Sequence, residues 1–190
     1  MEAFLASTFV VALAEMGDKT QLLAIVLAAR FRKPVPIILG ILAATLANHA
    51  IAAFAGAQTA AFLNGDWFRY LVAASFIAMG LWLLVPDKLD EEEARPARFG
   101  AFLTTTIVFF LVEIGDKTQV ATIALAARYE AVIAVTAGTT LGMMLANVPA
   151  VFLGDALLKK VPIRLVHAVA AALFIALGGL MLPGLILGRG

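Results

Sequence analysis

Seven residues, Glu15-Met16-Gly17-Asp18-Lys19-Thr20-Gln21, return ninety-eight positions later as Glu113-Ile114-Gly115-Asp116-Lys117-Thr118-Gln119. Each copy offers two carboxylates, an ammonium, a hydroxyl and an amide. Brought together, Glu15, Asp18, Glu113 and Asp116 carry four negative charges, and Lys19 and Lys117 offset two of them. One divalent cation would neutralise the remainder, and so would two protons. The donors are oxygens: the four carboxylates, the amides of Gln21 and Gln119, and the hydroxyls of Thr20 and Thr118. Such a set suits calcium, magnesium or manganese, whereas copper and zinc favour imidazole or thiolate. The chain has no cysteine, which excludes thiolate sites, disulfides and thiol relays. Neither histidine belongs to the repeated stretch.

The setting makes these charges costly. The chain is 63% hydrophobic and 14% charged, with a mean hydropathy of +0.99. Soluble domains carry about 25% charged residues. The composition is that of an all-α integral membrane protein. A span needs roughly 20 mostly apolar residues, and six segments qualify: Phe4–Ala29, Val35–Ala57, Trp67–Val85, Gly100–Ala127, Ala131–Ala156 and Ile163–Leu187. Both repeated stretches fall at the middle of a span. A charge there costs roughly 2.5–3.5 kcal/mol on insertion scales. A net charge of +1 gives no reason to expect a nucleic-acid partner; the expected partners are the bilayer, a metal ion and protons, with a homo-oligomer left open. The N-terminus lacks a basic leader pattern, so the first segment reads as a mature span.

The duplication extends further. Positions 15–30 and 113–128 are identical at eleven of sixteen places, and the same offset carries Gly40 onto Gly138, Gly56 onto Gly154 and Gly80 onto Gly178. The chain reads as two three-helix repeats, 1–86 and 100–190, joined by a polar cytoplasmic linker, 87–99. An odd number of spans per repeat inverts the second in the membrane. That architecture recurs in secondary transporters with the binding site at the midplane. Nine lysines and arginines fall in one set of loops (30, 32, 33, 88, 95, 98, 159, 160, 164) and three in the other (69, 128, 189). The positive-inside rule then puts both termini outside the cytoplasm. The acidic run Asp90–Glu93 does not count against it and is most simply a solvated loop.

If each repeated stretch is helical, Glu15 and Asp18 share a face, and Gln21 extends it. Gly17 would let a neighbouring helix approach closely or the helix unwind locally. Two motif helices from inverted repeats would cross with the motifs facing. A structural alternative is i,i+4 pairing of Glu15 with Lys19 and Glu113 with Lys117, with the motifs acting as helix–helix glue. Asn48 and Asn147 occupy near-equivalent places and could equally ligate an ion or bond a neighbouring helix. His49 has no counterpart and reads as a satisfied or interfacial histidine. Met143 and Met144 read as packing, Gly138 and Gly142 as weak GxxxG spacing, and Pro149 as a kink near Asn147.

The doubled Glu-x-Gly-Asp-Lys-Thr stretch in a small six-span chain resembles the Gdt-type calcium/manganese transporter family, which includes bacterial manganese exporters and is grouped with the lysine-exporter superfamily. The resemblance covers the whole chain. It implies transport of a divalent cation, Mn2+ or Ca2+, as substrate rather than cofactor, in exchange for protons. It also implies that Glu15, Gly17, Asp18, Lys19 and Thr20 and their equivalents Glu113, Gly115, Asp116, Lys117 and Thr118 do the work. The expected location is a bacterial inner membrane. Alternatives are an exporter of amino acids or other small organic cations, an uncoupled cation channel, and an intramembrane aspartyl protease. Four carboxylates would repel a zwitterion's carboxylate, and an aspartyl dyad has no use for partnering glutamates and lysines.

Overall fold

The computed structural model describes residues 1–63, 65–85, 99–154 and 162–186, and every regular element among them is an α-helix. The helices are α1 (Glu2–Glu15), α2 (Lys19–Phe31), α3 (Pro34–Phe62), α4 (Asp66–Leu83), α5 (Ala101–Glu113), α6 (Lys117–Tyr129), α7 (Val132–Leu153) and α8 (Ile163–Ile186). The acidic run, the linker up to Arg98, and Lys159, Lys160 and Arg189 lie outside the described residues.

Two of the expected spans are not single helices. The first is divided into α1 and α2, the fourth into α5 and α6. Met16 and Ile114 are extended (ψ 115° and 122°). Gly17 and Gly115 follow with φ of 82° and 75°, a left-handed backbone that glycine adopts without a steric penalty. Asp18 and Asp116 are extended again and start α2 and α6. Each repeated stretch is therefore a break between two half-helices, and Glu15 and Asp18 do not share one helical face. The half-helices end alike: Arg32 and Glu130 turn left-handed, and their N–H groups bond the Ala28 and Ala126 carbonyls. Pro34, at the first turn of α3, costs that helix no hydrogen bond.

Three stretches are long and apolar enough to cross a membrane: Pro34–Phe62, Val132–Leu153 and Arg164–Leu182; Trp67–Leu83 and Ala101–Glu113 are shorter apolar helices. The outer surface carries Phe9, Phe54, Leu111, Ile133 and Phe152, all more than half exposed. Such a surface belongs in lipid, and this is a membrane protein.

Small residues set the helix contacts. α3 packs on α5, and α7 on α1. A Cβ on Gly40 would stand 2.8 Å from the Phe102 carbonyl oxygen, and one on Gly138 2.5 Å from that of Phe4. Gly142 meets Thr8 in the same way, so the GxxxG spacing marks a close α7–α1 contact. α4 and α8 form a second body. Gly80 lies against the Ala171 carbonyl and Gly178 against that of Ala73, with the Phe76 and Phe174 rings 6.0 Å apart between them.

Candidate metal centre

The two breaks bring acidic residues together. Glu15 ends α1, Asp18 opens α2 and Asp116 opens α6; all three are buried. One carboxylate oxygen from each lies within 4.8 Å of the others. Oxygens on opposite sides of one calcium-sized ion stand about 4.6–5.2 Å apart, twice the metal–oxygen distance. The triad thus has the dimensions of a cation shell. Neither aspartate spends its side chain on capping its helix. The positive ends of α2 and α6 favour the two carboxylates electrostatically.

The fourth motif carboxylate lies outside that triad. Glu113, fully buried at the end of α5, faces α3. Asn48 Nδ2 donates to its Oε2 at 3.1 Å and to the Phe110 carbonyl at 3.0 Å. His49 Nε2 lies 2.9 Å from Glu113 Oε1, both side chains fully buried. His49 is therefore in the polar centre. The sequence signal for it was two adjacent polar residues, Asn48 and His49, inside an otherwise apolar helix; the missing counterpart in the second repeat hid it.

The breaks place Glu15 and Lys19, and Glu113 and Lys117, on different half-helices. Lys19 Nζ lies 3.4 Å from Asp116 Oδ1, across the two motif copies. Lys117 Nζ donates to the Val85 carbonyl at 2.7 Å and lies 5.9 Å from the centre of the Trp82 ring. The glutamines hold the breaks open. Gly17 N–H donates to Gln21 Oε1 and Gly115 N–H to Gln119 Oε1, each at 2.8 Å. Gln21 Nε2 donates in turn to the Ala146 carbonyl at 2.8 Å, and Gln119 Nε2 reaches Asn48 Oδ1 at 3.5 Å. These bonds replace the helical bonds that the breaks forfeit, which is the condition for irregular backbone at membrane depth.

Thr20 Oγ1 donates to Glu15 Oε2 at 2.5 Å, and Thr118 Oγ1 to Asp116 Oδ2 at 3.4 Å. Glu15 Oε1 is buried without a hydrogen-bond partner. Asn147 Nδ2 bonds the Met143 carbonyl and sulfur at 3.1 and 3.0 Å, and its Oδ1 is likewise buried and unpartnered. Buried polar atoms are seldom left so, and both are oxygens of the kind a hard cation takes. His167, which sequence alone did not single out, reaches the first break from α8: its Nε2 lies 2.6 Å from the Met16 carbonyl oxygen.

A family model described as divalent cation/proton antiporter GDT1 matches residues 3–91 and 101–185. The chain belongs to the GDT1 family. A Vibrio cholerae protein whose name proposes manganese export is 51% identical over 176 residues, 92% of this chain and 88% of the relative. A GDT1-like protein of Synechocystis is 28% identical over 195 residues, 92% and 93% of the two chains. A GDT1-like protein of rice is 27% identical over 200 residues, 92% of this chain and 71% of the relative. No solved structure matches. As a GDT1 member, the chain is an antiporter of divalent cations and protons, and the doubled motif occupies the one place among the described residues where three carboxylates converge.

Proposed function

We propose that this protein exchanges manganese for protons across a bacterial inner membrane, at a midplane site centred on Glu15, Asp18 and Asp116. The observation that carries the reading is the convergence of these three buried carboxylates from both motif copies, within 4.8 Å. Three carboxylates and Lys19 sum to minus two. A divalent ion cancels that charge, and so do two protons. Glu15 Oε1 is buried and open to such an ion, and Asn147 Oδ1 on α7 is a further buried oxygen without a hydrogen-bond partner. Thr20 and Thr118 orient carboxylates, Gln21 and Gln119 hold the backbone open, and Glu113 with Asn48 and His49 forms a second polar station beside the first. Manganese rather than calcium rests on the Vibrio cholerae relative; the oxygen set suits both.

The six-span reading counts α1–α2 and α5–α6 as one broken span each, beside α3, α4, α7 and α8. Two inverted three-helix repeats, 1–86 and 100–190 with the linker 87–99, are supported by contacts that recur at the ninety-eight-residue offset, such as Gly40 on Phe102 and Gly138 on Phe4. The loop charges favour the side of Arg30, Arg32 and Lys33 as cytoplasmic and both termini as extracytoplasmic. The decisive experiment is flux into proteoliposomes under an imposed pH gradient, comparing manganese, calcium and magnesium. Manganese movement coupled to the gradient is expected; absence of any coupled divalent flux would reject the site.

A further inference from the structure

The two repeats carry equivalent residues but make different contacts, and the differences share a direction. The α4–α8 pair is symmetric within itself: Gly80 on Ala171 matches Gly178 on Ala73 at the ninety-eight-residue offset. Its seat on the motif bundle is not. α4 packs on α6 and α8 on α1, whereas the equivalent pairings, α8 on α2 and α4 on α5, have no comparable packing among the described residues. His167 touches the Met16 carbonyl. The side chain of its equivalent, Arg69, has no hydrogen bond or ion pair with another of the described residues. Arg69 lines a cavity of about 650 Å³ beside Arg128, between the ends of α4, α6 and α8. Finally, α7 stops at Gly154, where φ is 55°, while α3 runs straight through the equivalent Gly56 to Phe62.

We propose that the α4–α8 pair has a second seat, on α2 and α5, with Gly154 and Gly56 as alternating hinges and His167 and Arg69 as alternating latches. In that second state Gly154 takes a helical φ and α3 stops at Gly56. Lys117 releases Val85, His167 leaves Met16, and Arg69 donates to the Ile114 carbonyl. Arg128 lies about 16 Å along α6 from Lys117, eleven residues at about 1.5 Å each. That is more than an arginine side chain spans, so the pair itself must slide. Glycine suits both hinges because it can continue a helix or end it left-handed. In this scheme the seat on α1 and α6 closes one side of the triad, and the seat on α2 and α5 closes the other. His167, Arg69 and Lys117 act as positioning residues. The proposal rests on the transport reading above and adds the moving part.

The chain has no cysteine, so a disulfide can report the second state directly. Arg69→Cys with Ile114→Cys should close in membrane vesicles under mild oxidation. Phe76→Cys with Phe174→Cys, inside the pair, serves as the control that closes in either state. Gly154→Ala is the clean hinge variant: its Cβ meets nothing within 4 Å, so only the left-handed backbone penalty acts. It should enrich the second state about tenfold and speed closure of the 69–114 disulfide. Gly56→Ala is not clean, because its Cβ would stand 2.2 Å from the Ile123 carbonyl. Arg69→Ala should slow manganese exchange at least tenfold while manganese affinity stays within twofold, and Arg69→Lys should restore part of the rate. A control pair that closes while 69–114 never does overturns the proposal, and an unchanged closure rate in Gly154→Ala overturns its hinge. Flux in vesicles of the unmodified protein separates the two readings. With flux read on the wild-type protein, a 69–114 disulfide in the variant but no coupled metal flux in the wild type would sink the transport reading alone; wild-type flux without the disulfide in the variant would sink the movement alone.

Discussion

Asp116 has neighbours of both signs. Lys19 stands 3.4 Å away, and Glu15 and Asp18 share its cation-sized space. Asp116→Asn removes a charge from a buried cluster and takes from Lys19 its partner at 3.4 Å. Losses of this kind cost about 3–5 kcal/mol, or two to three orders of magnitude in affinity. Manganese binding to the purified protein, followed by calorimetry, should fall by that amount, and Asp18→Asn should be as harmful. Glu113→Gln should behave differently. Glu113 is already held by Asn48 and His49 outside the triad, and a glutamine oxygen can still accept from Asn48. Its equilibrium affinity should drop tenfold or less. A Glu113→Gln defect in affinity equal to that of Asp116→Asn would place Glu113 in the shell with the other three.

At the scale of the element, the half-helix break is what converts an apolar span into a site. It exposes the carbonyl end of α1 and the N–H end of α2 at one depth, and likewise for α5 and α6. Gly115 offers a direct measure of its cost. An added Cβ would meet nothing within 4 Å, so substitutions test the left-handed φ of 75° rather than packing. Gly115→Ala should destabilise by about 1–2 kcal/mol, Gly115→Asn by less, since asparagine tolerates this conformation, and Gly115→Val by most. Thermal unfolding in detergent should return that order; a Val variant as stable as wild type would mean that the break is helical in the membrane. The break was half legible in the sequence. A glycine amid charges at mid-span pointed to either close approach or unwinding, and hydropathy is the same for both. The doubled carboxylates were legible because charge is rare in an apolar span. The cross-copy pairing of Lys19, the docking of Lys117 on α4, and the roles of His49 and His167 were not. They depend on which helices meet, and spacing within one helix carries no information about that.

For the whole molecule, charge balance links the site to the driving force. The triad with Lys19 carries minus two. An empty site crossing between the two sides with that charge would have to carry it through a medium where each buried charge costs several kcal/mol. A site filled with one divalent ion or with two protons is neutral and crosses without that penalty. Exchange should then run at about two protons per divalent ion, nearly electroneutral, by this charge count. The sign follows: protons running down their gradient move manganese the opposite way, so vesicles acidic inside should accumulate manganese from a neutral bath. A potassium-diffusion potential at equal pH on both sides should drive little, since no net charge moves. The contrast between those two conditions, measured in the same proteoliposome preparation, checks the stoichiometry. Uptake that tracks the potential and ignores the pH difference would mean that the carboxylates line a channel, with no exchange of metal for protons at all.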